Sequence, residues 1–213
     1  MPQAPNWHRV EETLFEHGKA AIEQFAQEHP NELCSFFAYH SMPLAGQFAV
    51  CLDTYSYGIQ EAMKYELDNI GQRQAYLKFK DSWRRASHYT EARRILEYTN
   101  DAELFHYAFY TEISFDGWSD FFDDERIYPQ SGPHDDDYLQ GNVRIVLWRV
   151  LERLIKAKVF QQLHMSTPFR VGYQLEDHDL IVLRLLNLPT IEGPPIYSVL
   201  ESPLAQKNMK NGQ

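Results

Sequence analysis

Leu33-Cys34-Ser35-Phe36-Phe37-Ala38-Tyr39, the turn Met42-Pro43-Leu44-Ala45-Gly46, and Gln47-Phe48-Ala49-Val50-Cys51-Leu52-Asp53-Thr54 decide the fold class. Both apolar runs are short and rich in residues that suit a pleated surface, and turn-forming Pro and Gly separate them. That combination predicts two paired strands. In the second run Phe48, Val50 and Leu52 point one way, and Ala49, Cys51 and Asp53 the other. Ahead of the pair, Val10, Leu14, Ala21 and Phe25 recur at helical spacing, flanked by Phe15 and Ile22. Glu11, Glu12, Glu16 and Glu23 take the wet side, which predicts a helix over 7–28. Helix, strand, turn and strand in this order predict an α+β fold, an antiparallel sheet packed against several helices.

Working outward, residues 57–82 read as mainly helical with an interruption near Gly71, and 90–98 as a short helix. Leu104 to Phe115 has the Phe, Tyr and Ile content of a strand, but its period is not clean. Asp116-Gly117 signals a turn and 129–133 a loop. From Asn142 to Leu163, Val143, Val146, Leu147, Val150 and Leu154 share one arc, opposite Arg149, Glu152, Arg153 and Lys156. This predicts an amphipathic helix. Phe169, Val171, Tyr173 and Leu175 then alternate with polar or small residues. Asp177-His178-Asp179 turns the chain into a return strand over 180–186. No repeat or linker divides the chain, so residues 1–189 are expected to form one domain, with 190–213 an irregular tail. Phe48, Val50, Leu52, Val143, Leu147, Val150, Leu154, Val171 and Tyr173 are the expected shared core.

A chain of 213 residues can bury roughly 70% of the surface its unfolded form exposes. No apolar run approaches the roughly 20 residues that span a bilayer, and the first residues lack the order of a secretory signal. Cys34 and Cys51 are too few for a disulfide scaffold and lack metal-site spacing. Two buried, reduced thiols in a cytoplasmic protein are the expectation.

Charge is unevenly placed. Between Arg94 and Arg144 twelve acidic side chains face only Arg126, so this stretch carries −11 of a total of −10. Eleven aromatics share it, unlike a solvating acidic tail, which is poor in rings. Arg73, Lys78, Lys80, Arg84, Arg85, Arg93 and Arg94 precede it against Asp81 and Glu91, so pairing between the two segments would still leave about six negative charges. A folded surface of this sign attracts basic partners and opposes nucleic acid. Asp116, Trp118, Asp120, Phe121, Phe122, Asp123, Asp124 and Glu125 are the candidate contact residues. Carboxylates there would steer capture and rings would supply anchor area.

His134-Asp135-Asp136-Asp137 raises a metal reading, with Asp116, Asp120, Asp123 or Asp124 as further oxygen ligands. The calcium-loop spacing is absent, and consecutive Asp residues after Pro133 equally suit the start of a helix or a solvated face. No metal and no cofactor are therefore expected. His40, His88, His106, His164 and His178 are scattered, and no nucleophile, phosphate-loop or zinc-protease motif occurs. No catalytic residue is assigned.

Phe36 to Tyr39, the second strand ending at Thr54, and the later helix with Val150-Leu151-Glu152-Arg153-Leu154 together carry a resemblance. Over residues 7–187 in outline the chain resembles small bacterial domains of unknown function that open on an F-x-x-Y strand, a turn, and a strand ending in T. Such domains occur among candidate immunity proteins of polymorphic-toxin loci. The resemblance does not extend to the acidic stretch and brings no catalytic residues. It implies a non-catalytic immunity protein whose partner is a toxin with a basic cleft, and the chain is expected to be monomeric or weakly dimeric. Two other readings are a metal-dependent enzyme or ligand-binding protein using the Asp-rich 116–137 region, and a structural subunit with an aromatic oligomer interface.

Overall fold

In the computed structural model, which describes residues 5–61, 64, 101–118 and 135–188, the hairpin forms as expected. β1 (Cys34–Met42) and β2 (Gln47–Thr54) pair antiparallel through a turn in which Gly46 adopts φ 63°. A Cβ at Gly46 would also stand 2.3 Å from Trp118 Cγ, so both backbone and neighbour demand glycine there. Among the described residues, β3 (Tyr107–Ser114), β4 (Met165–Leu175) and β5 (Ile181–Leu186) complete one sheet in the order β3-β2-β1-β4-β5. β1 lies at its centre, which is why it reads as a nearly continuous apolar run rather than an alternation.

The fold is α+β, but the sheet is mixed rather than antiparallel, because β1 and β4 run parallel. The cause is the crossover. Helix α2 (Asp135–Lys156) lies between β3 and β4 in the chain and returns it to the end of the sheet where β1 starts. α1 (Trp7–Glu28) packs beside α2 on the same sheet face. Asn6 caps it by accepting the Arg9 N–H at 3.1 Å.

Boundaries moved where local signals were ambiguous. α2 begins at Asp135, so the backbone of the three consecutive Asp residues opens the helix. It stops at Lys156. Lys158 takes a left-handed φ of 59°, and a short 3-10 turn follows over Val159–Gln162. β4 begins at Met165, ahead of its alternating part, and its pairing with β1 skips from Met165 to Arg170, which accommodates Pro168. β3 proves to be a strand. Its unclear period reflects the 3-10 turn at Ala102–Leu104 and a bulge where Cys51 faces three β3 residues, with Phe109 at φ 52°. The chain is helical at 55–61, the start of the helix expected over 57–82. Lys64 is helical too; the other positions expected in that helix, the 90–98 helix, the basic segment 73–94, the 129–133 loop and the 190–213 tail lie outside the described residues.

All nine expected core residues join one cluster between the helices and the sheet, together with Leu14, Phe25, Phe37, Tyr39 and Leu151. Arg153 departs from its expected solvent-facing position. Half-buried between the helices, it donates to Glu12 at 2.7 and 2.9 Å and to Glu11 at 3.0 Å, and lies over the Phe15 ring. Glu152 likewise pairs with Arg184 of β5 at 2.6 Å. Cys34 and Cys51 are free and buried, and burial pushes each thiol up to about 12. Among the described residues, no helix is long and apolar enough to cross a membrane.

Candidate functional site

The sheet face turned away from α1 and α2 follows from strand alternation. Its residues come in three cross-strand rows: Asp53, Phe36 and Arg170; Cys51, Ala38 and Gly172; Ala49, His40 and Gln174. Four of these are polar or charged and yet buried: His40, Asp53, Arg170 and Gln174. Such groups need partners, because a buried polar atom left unpaired costs free energy comparable to a lost hydrogen bond.

The first row is fully engaged. Asp53 accepts from the His106 N–H at 3.3 Å and from the Ser35 hydroxyl at 3.4 Å, and Arg170 lies over the Phe36 ring at 4.5 Å. Burial pushes the Asp53 carboxyl upward, opposed by the His106 amide and by the Arg170 charge. Burial equally lowers the Arg170 guanidinium, opposed by Asp53. Thr54 and Tyr57 hold the His106 ring, by a 3.1 Å contact to Nδ1 and by stacking at 4.8 Å.

At the other end, Gln174 anchors the cover. Its Oε1 accepts from the Ala102 N–H at 2.6 Å, and its Nε2 donates to Asp101 and to the His178 carbonyl. That fixes the 3-10 turn and sets Glu103 Oε1 2.9 Å from His40 Nε2. The contact lacks the angles of a hydrogen bond, so Nε2, on a side chain 1% exposed, has no well-formed hydrogen bond among the described residues. The Phe109 ring stands edge-on to His40 at 5.2 Å, while the Phe109 N–H points to Cys51 Sγ at 3.4 Å. Beside them opens a pocket of about 350 Å³ whose walls include His40, Met42, Ala49, Phe109, Glu112 and Ser114.

The face presents charge, an aromatic ring and a pocket to whatever meets it. With its thiol pushed up to about 12, Cys51 stays protonated at neutral pH and is a weak nucleophile. Among the described residues, no three His, Cys, Asp or Glu side chains are placed to hold one metal ion.

Of the residues expected to form the contact surface, Asp116 is exposed in the turn after β3. Trp118 is not a surface residue. It is 3% exposed, its indole N–H donates to the Pro43 carbonyl at 2.8 Å, and its ring packs against Trp7, Phe48 and Phe115. An aromatic beside Asp116 and Asp120 invites reading as an anchor for a partner, but this one fastens the β1–β2 turn to the end of β3. Asp120, Phe121, Phe122, Asp123, Asp124 and Glu125 lie outside the described residues. His40, Glu103, Phe109 and Glu112 escaped sequence reasoning. The only signal for His40 was its parity with Phe36 and Ala38, in a strand expected to end at Tyr39.

Comparison of the chain with protein-family models, curated proteins and solved structures finds no match. The resemblance to immunity-protein domains therefore rests on the sequence pattern alone.

Proposed function

We propose that the chain is a non-catalytic binding protein that captures a basic partner along its β3 edge, as an immunity protein would occupy the basic cleft of a toxin. The observation that supports this is the charge of that edge. Residues 101–118 hold Asp101, Glu103, Glu112 and Asp116 and no lysine or arginine. Glu103, Glu112 and Asp116 are exposed, and the stretch with Asp120, Asp123, Asp124 and Glu125 follows directly. Concentrated charge of one sign steers an opposite partner into encounter and speeds association more than it deepens affinity.

The test is association kinetics at two salt concentrations with a candidate toxin, the product of any toxin-like gene found beside this one, together with rescue of cells from that toxin. Replacing Glu112, Asp116, Asp120, Asp123 and Asp124 with Lys is expected to slow association and flatten its salt dependence, because steering is screened over about 8 Å at physiological ionic strength. Charge-reversed protein that folds, associates at an unchanged rate and still protects would overturn the reading.

A further inference from the structure

We propose that the pocket beside His40 receives one arginine side chain of the partner, an inference that rests on the reading of the β3 edge as the binding surface. Met42, Ala49, Phe109 and Ile113 give the pocket apolar walls suited to a methylene stem, whereas Glu112 contributes a carboxylate and Gln47 and Ser114 add acceptors. Among the described residues, no lysine or arginine lines it. His40, in the pocket wall, supplies the second polar element, an imidazole whose ring nitrogens can hydrogen-bond a ligand. Glu103 Oε1 stands 2.9 Å from its Nε2, so a carboxylate lies next to the imidazole. Among the described residues His40 Nε2 makes no well-formed hydrogen bond, although the side chain is almost wholly shut off from bulk solvent.

Phe109 argues for guanidinium over ammonium. It holds a left-handed backbone at φ 52°, a conformation that is strained for a bulky residue and that persists where surroundings enforce it, often at ligand sites. The bulge places a half-buried aromatic ring in the pocket wall, edge-on to His40. A planar, weakly hydrated guanidinium stacks on such a ring and pairs with a carboxylate at once, which a compact ammonium does less well.

The test uses the full chain and agmatine, the side chain of arginine with its amine, against cadaverine, which carries ammonium groups alone. Agmatine is expected to bind saturably and shift the His40 imidazole resonances, with cadaverine binding several-fold more weakly. Glu112→Gln, on an exposed residue that the fold does not need, should weaken agmatine about tenfold, the loss of one charge-assisted hydrogen bond. Phe109→Leu, which keeps an apolar wall but no ring face, should remove the preference for agmatine over cadaverine. Absence of saturable agmatine binding, equal binding of both probes by the unaltered chain, or indifference to both substitutions would overturn the proposal. None of these measurements involves the partner. Agmatine failing to bind while charge reversal still slows association would remove the pocket and leave the edge reading standing. The opposite pair of results would remove the edge reading instead.

Discussion

The two faces of the sheet are built to different rules. Toward α1 and α2, Phe37, Tyr39, Val50, Leu52 and Val171 meet helix residues such as Leu14, Phe25, Leu147 and Leu151 in a largely apolar layer. Toward the other side, the same strands present His40, Asp53, Arg170 and Gln174, with a small apolar group of Phe36, Ala38, Ala49, Cys51, Ala102 and Phe105 between them. Burial of apolar area stabilises the first face at roughly 25 cal/mol per Å² and makes few demands on geometry. The second face gives back much of its burial energy to desolvation, and its polar groups work only where each finds its partner. One face therefore holds the fold together, and the other fixes where side chains stand. The proposed binding site lies on the second.

Removing a large ring from the helix face should have the greatest effect. Trp118→Ala is expected to cost about 3–5 kcal/mol, lowering the denaturant midpoint in equilibrium unfolding, because it leaves a cavity among Trp7, Phe48 and Phe115. An unaltered midpoint would mean that the ring is dispensable to this core.

On the polar face, loss of a partner should matter more than loss of volume. Arg170→Met keeps apolar bulk over Phe36 and is expected to cost about 3 kcal/mol, because Asp53 then stays buried without its compensating charge. Adding Asp53→Asn should recover part of that loss. A double variant whose loss equals the sum of the two single losses would show that the two groups are not coupled.

The smallest effects are those of pH, and the two faces should respond with opposite sign. Burial lowers the folded pKa of His17 on α1 from 6.5. Its contribution is therefore present above the unfolded value and lost as pH falls through about 6.5 toward the folded value. Burial raises the folded pKa of Asp53 above 3.8, so its contribution is present below 3.8 and lost as pH rises through the folded value. His17→Leu should flatten the first change and Asp53→Asn the second, read as unfolding midpoints across pH. Variants whose profiles run parallel to that of the unaltered chain would refute the assignment.

Periodicity alone determined α1, the β1–β2 hairpin with its two faces, the body of α2 and the nine residues of the shared core. Each of these elements buries one apolar face, and that requirement is written into residue spacing. Spacing has no term for the company a residue keeps. Whether Trp118 reaches a partner or the Pro43 carbonyl depended on where the β1–β2 turn came to lie. Whether β4 ran parallel to β1 depended on where α2 delivered the chain. Arg153 looked like a solvent-facing cation until α1 brought Glu11 and Glu12 against it. The candidate site was the least legible part, because His40, Glu103, Phe109 and Glu112 come from β1, a 3-10 turn and a bulge in β3 that share no period. Only the tertiary structure, by closing that turn over the polar face, placed His40, Phe109 and Glu112 in the wall of one pocket and Glu103 against His40.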